Sequence, residues 1–243
     1  MSPAVLEIVG LRKQFGGIVA LAGVDISIGA DQIVGVIGPN GSGKSTLFNV
    51  ICGQHKPTSG QVRWSGTDIT GRPAHQIARL GIGRAFQQAM AFLSASVRDN
   101  VRTALEHGSA GQHRPQPRWS SPDAILDFVG LGGYAHEQAS TLSFGNLRRL
   151  GVAIALGADP ALLLLDEPAA GLNESECDAL GQLLRGVHRM GIGVCIVDHN
   201  VKLMTELCER LVVLHFGNKV AEGPTTDVLR DPTVIDIYLG AEA

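Results

Sequence analysis

Apolar positions along this chain fall into short runs of two kinds. In the first sixty-odd residues they form brief stretches, AVLEIV (4–9), VDISI (24–28), IVGVI (33–37) and QVRWS (61–65). Gly16-Gly17, Gly29 and Gly60 punctuate them, so each reads as a strand bounded by a turn. Later runs are continuous rather than alternating. LLLLD (162–166) and VCIV (194–197) are separated by a helical pattern over 174–190, and another helix is expected from about 200. Unbroken apolar strands joined by helices predict a parallel sheet covered on both faces. LVVLH (211–215) and KVAEG (219–223), joined by FGN, predict a hairpin, and a short helical tail ends at YLG.

Between Gln87 and Thr141 the pattern changes. Helices are expected over roughly 96–106 and 122–130, and IGRAF (82–86) before them reads as a strand. HGSAGQHRPQPRWSSPD, between the helices, is rich in Pro, Gly and Ser and predicts a mobile loop. This region reads as a small helical subdomain, 88–141, inserted into an α/β core formed by 1–87 and 142–243. All 243 residues are then one domain.

Composition narrows the class without naming it. The chain is 44% hydrophobic and 18% charged, as ordinary globular domains are. A net charge of −3 offers no general basic field, so no nucleic-acid partner is expected. No apolar run approaches the ~18 residues that span a bilayer, and MSPAVLEIVG lacks signal-peptide character. Any link to a membrane is therefore expected through a partner. Cys52, Cys177, Cys195 and Cys208 form no CxxC pair and read as buried, reduced thiols.

GPNGSGKS (38–45) carries the clearest chemistry. It fits the phosphate-binding pattern G-x-x-x-x-G-K-[ST], between an expected strand and an expected helix. Gly38, Pro39, Asn40, Gly41, Ser42 and Gly43 supply a loop whose backbone N–H groups can turn inward around phosphates. Lys44 adds a mobile positive charge, Ser45 a hydroxyl for Mg²⁺, and Thr46 a further contact. Asp166 and Glu167 end the strand LLLLD at the carboxyl edge of a sheet, where ligands sit. Asp166 can hold Mg²⁺, and Glu167 can deprotonate an attacking water.

Four other positions each admit a functional and a plainer reading. His199 follows a strand end, as a γ-phosphate donor or a structural imidazole. Gln87 is a Mg²⁺ ligand or a polar loop residue. Phe15 stacks on adenine or belongs to the core. LSFGN (142–146) precedes a helical pattern over 146–157, and Ser143 with the Gly145 N–H is an anion seat or an ordinary N-cap.

The order aromatic, phosphate loop, Gln, LSFGN, LLLLDE, His resembles the ATP-binding subunit of ABC transporters over the whole chain. FGGIVAL, GIGRAFQ, DEPAAGLN, DHNVKLM and the terminal YLG are similar to the subunits of branched-chain amino acid importers and their relatives for amides and urea. The resemblance implies an α/β fold: a P-loop, RecA-like core with a mostly parallel sheet, an antiparallel β subdomain at the N-terminus and the helical insert. It implies an ATPase using ATP and Mg²⁺ at the cytoplasmic face of the membrane. Lys44, Glu167 and His199 would be catalytic, Ser45, Gln87 and Asp166 would hold the metal, and Phe15 would stack on adenine. Ser143, Gly145 and Asn146 would reach the ATP of a second ATP-binding subunit arranged head to tail, which gives the chain two phosphate-facing devices. Other expected partners are transmembrane permease subunits and, indirectly, a periplasmic solute-binding protein. Asn146 stands where the family favours Gln, and Ile154 where it favours Arg.

Overall fold

The computed structural model describes residues 4–85, 90–108 and 117–239. The chain opens on two long strands, β1 (Ala4–Phe15) and β2 (Ile18–Gly29). They turn at Gly16-Gly17 and pair antiparallel, with β1 also pairing with β4 (Ser59–Trp64). β5 (Thr67–Asp68) completes this sheet, in the order β2-β1-β4-β5. The sequence pattern located parts of β1 and β2 but missed residues 18–23, whose side chains are largely exposed and carry little periodic signal.

The second sheet holds the continuous apolar runs. Its strands are β3 (Ile33–Ile37), β6 (Ile82–Ala85), β7 (Leu162–Asp166), β8 (Gly193–Val197), β9 (Arg210–His215) and β10 (Asn218–Pro224). Their order is β10-β9-β3-β8-β7-β6, parallel except for the antiparallel β10. Successive side chains point to opposite faces. Leu163, Leu165, Val194, Ile196, Leu211 and Val213 join one apolar cluster, and Leu162, Leu164, Cys195, Val197, Val212 and Leu214 the other. That division explains why these strands read as unbroken apolar runs.

The second cluster packs the sheet against the antiparallel sheet and α1 (Lys44–Ile51), through Leu6, Ile8, Val24, Phe48 and Val62. α2 (Ala74–Arg79) adds Ile77 to it. The first cluster takes α3 (Val97–His107), α4 (Pro122–Phe128), α5 (Phe144–Gly157), α6 (Glu174–Arg189) and α7 (Val201–Leu207). Val97, Ile125, Leu150, Leu180 and Leu203 contribute one buried side chain from each. The helical segment thus shares a continuous core with the sheet. Short helices α8 (Thr225–Val228) and α9 (Pro232–Leu239) close the described chain.

The loop expected to be mobile is anchored in its second half. Arg118 Nη1 donates to Asp159 Oδ1 at 2.6 Å and to the Pro160 carbonyl at 3.1 Å. Trp119 is buried beside Phe128, with ring centroids 5.2 Å apart. Composition cannot foresee this, because two long side chains outweigh the turn-forming residues around them.

Candidate nucleotide site

Register places the candidate residues on one edge. Val36 of β3 and Asp166 of β7 both lie opposite Val197 of the intervening β8. The three strands therefore end nearly level. Gly38, Glu167 and the Asp198-His199 pair leave the sheet side by side, at the carboxyl edge where parallel sheets receive ligands.

The glycine loop is built for backbone approach. Gly38 has φ 150°, and a Cβ there would lie 2.1 Å from the Leu214 carbonyl oxygen. Only glycine fits at that contact. Gly43 caps α1 without a side-chain hydrogen bond, whereas Ser96, Ser121, Ser143, Asn173 and Asn200 each cap their own helix with a side-chain oxygen. The first N–H groups of α1 thus face the loop with no side-chain acceptor at the cap, which suits an anion. Lys44 is 7% exposed, and its ammonium donates to the carbonyls of Gly38 (2.7 Å) and Pro39 (2.9 Å). Burial pushes its pKa down, while Glu167 and then Asp166 pull it up. Lysine and carboxylates from separate strands therefore act on one space.

Two arginines enter this region that the motifs did not single out. Arg84 Nη2 donates to Asp166 Oδ2 at 2.6 Å, and its Nη1 to Asn49 Oδ1 at 2.7 Å. The ion pair is largely buried on both sides. A charge within the apolar strand IGRAF was the signal available for it. Arg148 lies in α5, four residues after Phe144, and is taken up below.

Beyond β7, Glu167 adopts φ 46° and donates its N–H to the Val197 carbonyl at 2.7 Å. This left-handed turn breaks the strand's alternation as the chain leaves the sheet. Asp198 is fully buried and accepts N–H bonds from Ala169 and Asn200, each at 2.9 Å. It ties the ends of β7 and β8 together. His199 is exposed beside it, with Nδ1 3.9 Å from Asp198 Oδ1. Phe15 is 42% exposed at the end of β1, edge-on to His55 at 5.2 Å, with the Lys13 ammonium 4.6 Å from its ring centroid. It is a surface ring and not a core residue. Gln87 lies outside the described residues.

LSFGN differs from expectation in one respect. The helix begins at Phe144 rather than 146, so Gly145 and Asn146 form its first turn. Ser143 caps it, its Oγ accepting the Asn146 N–H at 3.3 Å. A Cβ on Gly145 would lie 2.5 Å from Glu176 Oε1, so the LSFGN turn packs closely on the start of α6. α5 packs on the opposite side of the sheet from α1.

A buried lysine in a glycine loop, an uncapped helix start and two carboxylates on one sheet edge define a phosphate-handling P-loop ATPase site. Residues 21–170 match the family model for the ABC transporter domain, and the chain belongs to the ABC transporter family. It is 37% identical to the high-affinity branched-chain amino acid transport ATP-binding protein BraF of Pseudomonas aeruginosa, the alignment spanning 99% of each chain. It is 36% identical to LivG of Escherichia coli K12, a protein of the same description, again over 99% of each. A crystal structure of an ABC transporter ATP-binding cassette in its ADP conformation superposes with a TM-score of 0.87, at 29% identity over 98% of this chain and 100% of that one. A dimeric cassette in a post-hydrolysis state with ADP and Pi superposes with a TM-score of 0.77, at 26% identity over 90% and 98%.

Proposed function

We propose that the chain is the ATP-hydrolysing subunit of an importer for branched-chain or related amino acids, working as a head-to-tail dimer that buries ATP between protomers. The supporting observation is the pairing, on one chain, of the uncapped α1 start beside Lys44 with a second, solvent-exposed helix start on α5, capped by the Ser143 hydroxyl. The full-length likeness to BraF and LivG supports amino acids as cargo.

In this reading the loop 38–43 and Thr46 wrap the phosphates, and Lys44 leaves its carbonyl partners to bind the β- and γ-phosphates. Phe15 stacks on adenine. Ser45 and Asp166 fit a Mg²⁺ site because both offer hard oxygen donors, and Mg²⁺ keeps few protein ligands beside phosphate and water. Gln87 would join them. Bound there, the ion neutralises developing phosphate charge. Glu167 accepts a proton from the attacking water, and His199 donates to the γ-phosphate. Ser143, Gly145 and Asn146 contact the partner's nucleotide.

The insert 88–141 is assigned to permease contact. A groove of about 450 Å³ runs between α2, β6, α3 and α5, lined by Ile77, Ile82, Ala104, Ile154 and Pro160. Arg84 also lines it and reaches Asp166, so a permease segment seated there would bear on the metal carboxylate through one side chain. Ile154 helps make this wall apolar. Among the described residues no helix is long and apolar enough to cross a membrane, consistent with a subunit held peripherally by its permease.

The test is Glu167→Gln. With MgATP the variant should elute and scatter as a dimer, while wild type turns over and returns to monomer. Turnover should fall ~10²–10⁴-fold, the usual contribution of a general base. A variant that hydrolyses ATP at the native rate removes Glu167 from the chemistry. Uptake of labelled leucine, restored by this gene in a strain lacking it and not by Glu167→Gln, tests the cargo.

A further inference from the structure

Arg148 sits where four features meet. It is 9% exposed, and its guanidinium carbon lies 4.7 Å from the Phe144 ring centroid. Nη2 donates to the Ala170 carbonyl at 3.2 Å. Nε is buried and has no hydrogen-bond partner. No carboxylate lies within ion-pair distance of it among the described residues. The charges that bear on it are Asp198 and Glu167, which raise its pKa against the larger lowering by burial.

Its neighbours link two surfaces. Phe144 is 52% exposed, and a Cβ on Gly171 would lie 2.8 Å from its Cε1. The ring therefore rests on Gly171 and stacks over the guanidinium. Ala169, next along, donates its N–H to Asp198. One continuous path runs from the exposed ring, through the guanidinium, to the segment that follows Glu167. A buried cation without a close counter-ion is costly, and an apolar side chain of similar length would fill the space at lower cost. Stability does not account for its presence.

We propose that Arg148 is a positioning residue that couples the Ser143–Asn146 face of each protomer to that protomer's own Glu167. This rests on the dimer reading above. A nucleotide gripped by the partner presses on the Ser143–Asn146 turn and the Phe144 ring. The stacked guanidinium follows the ring and carries the Ala170 carbonyl with it. The backbone between Glu167 and Ala170 shifts, and the carboxylate is brought to bear on the water at the protomer's own nucleotide. Hydrolysis in one site thereby depends on occupancy of the other.

The experiment compares wild type with Arg148→Met and Arg148→Lys. Lysine keeps the charge but loses the planar fork that stacks and donates together. Each protein is assayed for binding of a fluorescent ATP analogue at monomer concentrations, for ATPase kcat, KM and Hill coefficient at dimer concentrations, and for Tm. Arg148→Met should bind the analogue within twofold of wild type and keep its KM. Its kcat should fall tenfold or more, its Hill coefficient should approach 1, and its Tm should be unchanged or raised. Arg148→Lys should recover only part of kcat. A Phe144→Leu change should cost much less in the Arg148→Met background than in wild type. Native kcat and cooperativity in Arg148→Met would overturn the coupling. So would a kcat loss that tracks a fall in Tm, which marks a merely structural role. Wild type that neither dimerises with ATP nor shows cooperativity instead refutes the dimer reading, independently of either variant.

Discussion

Arg118 and Lys44 are both buried cations, and their environments predict opposite consequences of removal. Arg118 has Asp159 at 2.6 Å, with side-chain exposures of 6% and 3%. Arg118→Met leaves the Asp159 carboxylate buried without its partner and should cost ~3–5 kcal/mol in urea denaturation. Lys44 has only carbonyl acceptors and the Ser42 hydroxyl as direct partners, and its burial works against the charged form. Lys44→Met should leave urea stability nearly unchanged and cut ATP turnover ~10²–10³-fold, as loss of one phosphate-directed donor does. Arg118 was not recognisable from its surroundings, since a Pro/Gly/Ser-rich stretch gives no hint that Asp159 will lie against it. Lys44 was recognisable because its partners are local: the glycines that shape its surroundings are within six residues.

At the scale of elements, α5 and α6 are joined by one glutamate. Asn173 and Glu176 form a reciprocal capping box, with Asn173 Oδ1 accepting the Glu176 N–H and Glu176 Oε2 accepting the Asn173 N–H, both at 3.0 Å. The other oxygen of Glu176 is the atom a Gly145 Cβ would strike. Asn173→Ala should lose ~0.5–2 kcal/mol. For a chain of this size that lowers Tm by ~2–4 °C per kcal/mol. Gly145→Ala displaces the same carboxylate, so the two changes should be non-additive by ~0.5 kcal/mol or more in a double-mutant cycle. The helix starts expected from the sequence pattern fall within two residues of those observed. α5 is the furthest off: Phe144 and Gly145, which pack against Gly171 and Glu176 nearly thirty residues away, already belong to the helix.

For the whole molecule, the two apolar clusters enclose the thiols. Cys52, Cys195 and Cys208 are buried, and burial raises the pKa of Cys52 to about 11 and that of Cys208 to about 12. A disulfide-exchange reagent at pH 8 should leave these three unmodified until denaturant unfolds the protein. The same shift has a stability consequence. Above pH 9, the ordinary value, the unfolded Cys52 thiol ionises while the folded one stays protonated to about 11. The unfolded state then holds fewer protons, so stability falls as pH rises through that window. Cys52→Ala should remove ~1.4 kcal/mol per pH unit of that slope between pH 9 and 11.

The chain by itself determined the parallel sheet, the glycine loop and the acids at a strand end. Each is written in neighbouring residues, where apolar run length, turn glycines and backbone geometry act over a few positions. Tertiary structure alone decided how nearly level Gly38, Glu167 and Asp198 stand on that edge, that Arg84 reaches Asp166, and that Arg148 lies under Phe144 against the Ala170 carbonyl. Those contacts depend on strand order and helix packing. Residues 82 positions apart, such as Arg84 and Asp166, meet only after β6 and β7 pair, and nothing local to either one announces the other.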